Sequence, residues 1–321
     1  MLGKTFGGLF VIIFNILLLL IGFVLLIKGA DFFVDGSSSV AKLLKIPSVV
    51  LGLTIVAMGT SAPEAAVSIS AGIQGSNEIA ISNVVGSNIF NMLVVVGVCA
   101  LIKPFDLDKT ILKRDFPVNI VASIFLFSVA FIGMALSRLD GIILLAMMAL
   151  YITWLVVSAI KNREQSDEEI KSMSPILSII CIVGGLAAFI FGGDLVVDNA
   201  VVIAKVFGLS ETFIGMTIIA IGTSLPELVT SIVASKKGEN GLALGNVVGS
   251  NIFNILLILG LSSSISPIVV DSRAIVNAVF LVIMTVIMYL LCVWKKKLSR
   301  GVGIAMVSAY AVYTGYLLYL G

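Results

Sequence analysis

"GTSAPE" at 59–64 returns as "GTSLPE" at 222–227, and "NVVGSNIFN" at 83–91 returns unchanged at 246–254. Both pairs are offset by 163 residues. The same offset, without a gap from about residue 22 to 104, pairs Asp31 with Asp194, Gly52 with Gly215, Gly75 with Gly238 and Pro104 with Pro267. The chain of 321 residues is therefore one unit used twice.

The composition around these blocks decides the solvent. The chain is 59% hydrophobic before its 30 glycines are counted, and 12% charged. Soluble domains are about 45–50% apolar with glycine included and about 25% charged. A soluble fold this apolar could not cover its surface, so the protein is expected in a bilayer. A spanning helix needs about 20 apolar residues. Ten stretches qualify: roughly 9–40, 47–73, 78–102, 116–137, 139–160, 174–205, 211–235, 241–267, 273–294 and 302–320. The N-terminal run lacks a cleavage site and is read as the first span, not a removed signal. Residues 161–173 form a short polar linker, too short for an inserted domain. The expected division is an N-terminal repeat over 1–160 and a C-terminal repeat over 174–321, with the repeated blocks at about 48–103 and 211–266.

Each unit has five spans. Five is odd, so the second copy enters the membrane from the opposite side. The expected fold is an all-α membrane protein of ten transmembrane helices in two inverted five-helix repeats. Many secondary transporters share this plan and bind their substrates near the midplane, on helices interrupted by glycine and proline. Basic residues set the orientation. The loops after spans 1, 3, 5, 7 and 9 carry Lys42 and Lys45; Lys103, Lys109, Lys113 and Arg114; Lys161, Arg163 and Lys171; Lys236 and Lys237; and Lys295, Lys296, Lys297 and Arg300. The other side holds Lys4, Arg138, Lys205 and Arg273. The first side is expected to be cytoplasmic, with both termini outside.

Several chemistries are excluded or disfavoured. There is no histidine, hence no histidine-ligated metal or haem and no histidine relay. Cys99, Cys181 and Cys292 are scattered in apolar stretches without ligand spacing. A net charge of +2 gives no nucleic-acid footprint, and no cofactor is expected. A serine hydrolase built on Ser61 or Ser224 would need a base, and no lysine lies near either in sequence. The protein is read as a transporter and not an enzyme.

The chemistry that remains sits at the repeated blocks. Pro63 has no N–H, so the Gly59 carbonyl loses its helical partner and must find another in hydrocarbon. Thr60, Ser61 and Glu64 surround this break, and Thr223, Ser224 and Glu227 repeat it beside Gly222 and Pro226. Ser87 and Asn91, and Ser250 and Asn254, are i,i+4 pairs on the facing spans, where Gly86 and Gly249 permit close approach. Asn83, Asn88, Asn246 and Asn251 are read mainly as braces. Ionisable groups at membrane depth are functional by default, and Glu64 and Glu227 are the only acidic residues placed deep in spans 2, 3, 7 and 8. Carboxylate, hydroxyl, amide and carbonyl oxygens suit Ca²⁺ and Na⁺. Two ionised glutamates give the empty site a charge of −2, which one Ca²⁺ or two Na⁺ neutralise. Closing around two unpaired buried carboxylates is unfavourable, so such a site exchanges ions and does not leak. Protons compete for the same oxygens, and low pH is expected to weaken cation binding. A passive cation channel is the alternative from another class. Asp31 and Asp194 are expected to brace or gate, with Lys28 near enough to pair with Asp31. Tyr310, Tyr313, Tyr316 and Tyr319 form one stripe for a helix contact or interface.

The paired G-T-S-x-P-E and N-V-V-G-S-N-I-F-N blocks resemble the α-repeats of the cation/Ca²⁺ exchanger superfamily, and within it the Na⁺/Ca²⁺ exchangers. The resemblance covers nearly the whole chain. It implies a core of spans 2, 3, 7 and 8, sliding of spans 1 and 6 past it, and exchange commonly of three Na⁺ for one Ca²⁺. It implies ligands at Glu64, Glu227, Ser61, Ser224, Thr60, Thr223, Ser87 and Ser250, with carbonyls of Ala57 and Ala220. Some members carry aspartate where Asn254 stands. Asparagine in both halves, at Asn91 and Asn254, argues against K⁺ dependence. The proton/Ca²⁺ branch shares the architecture but not these blocks, and proton/Ca²⁺ or other cation/Ca²⁺ antiport is the nearest alternative reading. The expected partners are the two ions and the lipid of a prokaryotic cell membrane, and the expected unit is a monomer.

Overall fold

The computed structural model describes residues 2–73, 77–161, 172–208 and 220–320. In chain order the helices of the first half are α1 (Leu2–Leu44), α2 (Ser48–Leu51), α3 (Ala57–Thr60), α4 (Ala62–Ile73), α5 (Asn77–Phe90), α6 (Val96–Ile102), α7 (Phe116–Gly133) and α8 (Arg138–Lys161). Those of the second half are α9 (Pro175–Val206), α10 (Ala220–Thr223), α11 (Leu225–Lys237), α12 (Asn240–Phe253), α13 (Gly260–Ile265), α14 (Ser272–Lys295) and α15 (Arg300–Leu320). Four wider π-helical segments, Gly52–Val56, Asn91–Val95, Ile111–Asp115 and Asn254–Leu259, adjoin them.

The protein is a mostly helical membrane protein. Among the described residues seven helices are long and apolar enough to cross a bilayer, and the bent pair Ser48–Thr60 and Ala62–Ile73, which meet at 51°, makes eight when counted as one span. The tenth expected span coincides with the 21-residue helix α15, which is not one of these eight. The expected seventh span begins at 211, and its residues before Ala220 lie outside the described residues, as do Gly75, Gly215 and most of the linker. The first span is longer than expected: α1 runs unbroken for 43 residues. Its sequence has no proline between Met1 and Pro47 to stop it.

Two short ribbons join the halves. β1 (Phe105–Asp106) and β2 (Ala135–Leu136) lie in the first half, and β3 (Ile268–Val269) and β4 (Lys297–Leu298) in the second. β1 pairs with β4, Phe105 opposite Leu298, and β2 pairs with β3, Leu136 opposite Ile268, both antiparallel. Phe105 and Ile268 are 163 residues apart and Leu136 and Leu298 are 162 apart, so the two ribbons match to within one residue of register.

Packing divides the molecule unevenly. The main apolar cluster is built chiefly from α2, α3, α5 to α8, α12, α14 and α15, with Ala65 of α4, Ile221 of α10 and Leu228 and Ile232 of α11 packed against it, and among the described residues it contains none from α1 or α9. Those two long helices pack on each other instead. A Cβ on Gly29 would lie 2.6 Å from Phe189 N, and one on Gly192 would lie 2.6 Å from Leu26 N, so glycine lets the two backbones touch. The pair meets the rest of the molecule through a small separate cluster of Phe33, Val34, Val56, Phe189, Ala234, Leu242 and Ala243.

Arg114 departs from its reading as a loop charge. It is buried beside Asp115, with Nε 2.8 Å from Oδ1 and Nη2 3.1 Å from Oδ2. Ser158 accepts from Nη1 at 3.0 Å, and Tyr151 donates to Asp115 at 3.1 Å. A bidentate pair with every partner supplied is what makes a buried charge tolerable.

Candidate functional site

The site is built on two matching helix breaks. α3 ends at Thr60, Ser61 turns out of helical geometry (φ −81°, ψ 8°), and α4 restarts at Ala62 with Glu64 in its first turn. In the second half α10 ends at Thr223, Ser224 turns likewise (φ −92°, ψ 6°), and α11 restarts at Leu225 with Glu227 in its first turn. Pro63 and Pro226 cause both breaks, because neither can donate to the preceding turn. Each glutamate thus sits at a helix N-terminus, where the backbone dipole favours a negative charge. Both have 0% exposure.

The two breaks interlock across the halves. Ser61 Oγ donates to Glu227 Oε1 at 2.8 Å, and Ser224 Oγ donates to Glu64 Oε1 at 2.9 Å. Ser87 Oγ donates to Glu64 Oε1 at 3.1 Å and lies 2.9 Å from Ser224 Oγ. Thr60 Oγ1 donates to Asn246 Oδ1 at 2.9 Å and lies 3.3 Å from Ser250 Oγ. The Ala57 carbonyl faces the same group, 3.3 Å from Thr60 Oγ1 and 3.5 Å from Ser250 Oγ. Gly249 makes this approach feasible: a Cβ there would fall 2.8 Å from both Ala57 Cβ and Leu53 Cα. The matching reading for Gly86 rests on residue 216, which lies outside the described residues.

Four buried oxygens of the group have no hydrogen-bond partner among the described residues: Glu64 Oε2, Glu227 Oε2, Asn91 Oδ1 and Asn254 Oδ1. The amide nitrogens of these asparagines are engaged, Asn91 Nδ2 with Asn251 Oδ1 at 3.2 Å and Asn254 Nδ2 with Asn88 Oδ1 at 3.0 Å. Their oxygens are therefore held as acceptors without donors. Leaving an acceptor buried and unsatisfied is costly, and a cation is the partner that such acceptors can coordinate. The donor set is all hard oxygen, which suits Ca²⁺ or Na⁺ and not a thiolate or imidazole metal. Ala220 and Thr223 hold the positions in α10 that Ala57 and Thr60 hold in α3.

The other amides brace the frame. Asn83 Nδ2 donates to Ser68 Oγ at 3.0 Å and to the Glu64 carbonyl at 3.4 Å. Asn246 Nδ2 does the same to Ser231 at 3.0 Å and the Glu227 carbonyl at 3.4 Å. Asn88 and Asn251 exchange donations to each other's carbonyls at 3.1 and 3.2 Å. Ser68 and Ser231 were not among the expected residues. Their signal was present, since they recur at the same offset of 163. Tyr310 and Tyr313 do make helix contacts, with Phe90 edge-on at 5.4 Å and Phe280 stacked at 4.5 Å.

Comparison with known proteins agrees with this geometry. A family model described as sodium/calcium exchanger protein matches residues 14–157 and 177–319. The chain is 36% identical to the inner membrane protein YrbG of Escherichia coli (strain K12), over 94% of this chain and 96% of that protein. It is 34% identical to the sodium/calcium exchanger MaX1 of Methanosarcina acetivorans, over 95% of this chain and 99% of that one. Its fold matches a solved structure of the sodium-calcium exchanger NCX_Mj with a TM-score of 0.84 and 33% identity, covering 95% of this chain and 99% of that chain.

Proposed function

The chain belongs to the sodium/calcium exchanger family, and from that premise we propose that it is an antiporter that exchanges Na⁺ for Ca²⁺ by alternating access at the paired glutamates. The observation that carries this reading is the pair of fully buried carboxylates, each anchored through one oxygen by a serine of the opposite half while the other oxygen has no partner among the described residues. The proposed ligands are Glu64, Glu227, Ser61, Ser224, Thr60, Thr223, Ser87, Ser250, Asn91 and Asn254, with the carbonyls of Ala57 and Ala220.

The charge balance supplies the coupling. Two carboxylates in low dielectric repel each other and are poorly solvated, so the site closes readily only when Ca²⁺ or Na⁺ neutralises it. The helix breaks supply hydroxyls and carbonyls in place of the ion's hydration shell. With amides at Asn91 and Asn254 the site has two negative charges and no third carboxylate for K⁺.

The proposed frame is ten spans in two inverted repeats, 1–160 and 174–321, with both termini outside. It is supported by the reciprocal serine–glutamate bonds, the reciprocal Asn88–Asn251 bonds and the two ribbons, which match to within one residue of register. The basic loop residues support the orientation. We further propose a monomer as the working unit in a prokaryotic cell membrane.

The test is ⁴⁵Ca²⁺ uptake into proteoliposomes loaded with Na⁺, with and without external K⁺. Uptake should follow the outward Na⁺ gradient and ignore K⁺. Uptake driven by a pH gradient and indifferent to Na⁺ would replace this reading with proton/Ca²⁺ exchange. Ca²⁺ flux that needs no counter-ion would replace it with a channel.

A further inference from the structure

One cluster of charged side chains lies outside the site. Lys237, in the last turn of α11, reaches across to α1. Its Nζ lies 2.5 Å from Asp31 Oδ1 and 2.6 Å from Asp35 Oδ1, and it donates to the Asp31 carbonyl at 3.1 Å. Asp31 therefore pairs with a lysine of the other half, and not with Lys28 on its own helix. Gly238 follows in the left-handed region (φ 85°) and ends α11 there, which keeps Lys237 at the rim. Beside it lies a cavity of about 280 Å³ lined by Asp35, Ser38, Ser39, Lys42, Lys237 and Glu239.

These contacts join two bodies. α1 packs with α9 outside the main apolar cluster, whereas α11 carries Glu227. Across the seam between α1 and α11 the small apolar cluster contributes Phe33 and Val34 on one side and Val233 and Ala234 on the other. The same two helices carry buried hydroxyls: Ser37 and Ser38 on α1 and Thr230 and Ser235 on α11 are buried and have no hydrogen-bond partner among the described residues. Thr230 lies one turn beyond Glu227 on α11, and Ser235 lies near its end beside Lys237. Buried hydroxyls without partners are unfavourable. Water or a hydrated cation would satisfy them if the seam opened.

The other half does not repeat this arrangement. Asp31 and Asp35 have counterparts in Asp194 and Asp198, but Gln74 stands where Lys237 would be expected. Ala200, Val201, Val67 and Gly72 match Ser37, Ser38, Thr230 and Ser235. The duplicated frame thus carries a lysine strut and a hydroxyl-lined seam at one end only.

We propose that Lys237 is a positioning residue for exchange: a strut that holds shut the hydroxyl-lined route between α1 and α11, through which Glu227 communicates with the face where Lys237 lies. This rests on the site and orientation proposed above, in which that face is cytoplasmic. Removing the strut shifts the protein towards states open on that face, because a state loses population when a contact made only in it is lost. The strut is partly exposed, with 28% exposure at Lys237 and 38% and 46% at the aspartates, so its effect is modest.

Thr230→Cys reports the opening, since the hydroxyl it replaces has no hydrogen bond to lose among the described residues. The full chain is labelled with a membrane-impermeant maleimide in inside-out and right-side-out vesicles, against the chain carrying only Cys99, Cys181 and Cys292. Lys237→Gln should raise the labelling rate at the introduced thiol about two- to fivefold from the cytoplasmic face, as expected for a partly exposed ion pair. Labelling from the other face should not rise. Lys237→Arg should keep the original rate, and Asp31→Asn with Asp35→Asn should reproduce Lys237→Gln. An unchanged rate in both Lys237→Gln and the double aspartate variant overturns the strut. A rise from both faces alike marks general loosening and also overturns it. Absence of Na⁺-driven Ca²⁺ uptake by the unsubstituted chain would overturn the proposed function instead, and the labelling result would still decide the strut.

Discussion

Glu64→Gln separates charge from shape at the proposed site. The amide oxygen of glutamine can accept the hydrogen bonds that Ser87 and Ser224 now give to Glu64 Oε1 at 3.1 and 2.9 Å. Volume and packing are kept, and one negative charge is lost from a group with 0% exposure. Two unit charges about 4 Å apart interact by about 4 kcal/mol at an effective dielectric of about 20, so a divalent ion and a carboxylate interact by about 8 kcal/mol. The neutral variant recovers part of this, because it has no charge to desolvate and its amide dipole still faces the ion. Taking half as the net loss leaves about 4 kcal/mol, or roughly a thousandfold in Ca²⁺ affinity. Ca²⁺ uptake into Na⁺-loaded proteoliposomes should fall to background, while the thermal melting of the purified protein in detergent stays close to that of the parent. Glu227→Gln should behave alike, because Ser61 holds Glu227 as Ser224 holds Glu64. Ca²⁺ affinity within about threefold of the parent in either variant would refute the charge argument, since about 0.6 kcal/mol is all that such a change represents.

Other outcomes follow from the same contacts. Ser61→Ala and Ser224→Ala each remove one hydrogen bond to a buried carboxylate and should weaken half-maximal Ca²⁺ uptake about tenfold, at roughly 1.5 kcal/mol per charged hydrogen bond. Asp115→Ala leaves Arg114 buried without its bidentate partner and should cost about 3–5 kcal/mol, read as a lowered melting temperature in detergent. Gly29→Val places a Cβ 2.6 Å from Phe189 N. It should force α1 from α9 at about 1–3 kcal/mol or more, abolishing uptake with less effect on melting than Asp115→Ala, because neither helix belongs to the main apolar cluster.

Much of this was legible in the sequence because it is local. Pro63 and Pro226 fix where the helices break, and the offset of 163 shows that the two breaks are copies. The bend at Ser61, 51°, and the first-turn position of Glu64 follow from the missing N–H and the clash of the Pro63 ring with the preceding turn. Pairings between distant segments were not legible. Nothing near Asp31 in the chain announces Lys237, 206 residues away, whereas Lys28 was the nearest candidate by spacing. Arg114 looked like a loop charge because it stands among Lys109 and Lys113, and only tertiary packing buries it against Tyr151 and Ser158. The π-helical segments were invisible for a different reason. Each is only five or six residues long, too short for a shift in helical period to show in the pattern of residues.

The two ribbons bear on how the protein is made. β1 is synthesised early, yet its partner β4 precedes only the final helix, and β2 likewise waits for β3. The first half thus leaves the ribosome with two unpaired strand edges, and Ser61 has no Glu227 to bond until the second half has been inserted. Ribosome-bound intermediates would hold an unfinished polar cavity in the bilayer for most of translation, which makes the last helices of the chain the step that commits it to its native form.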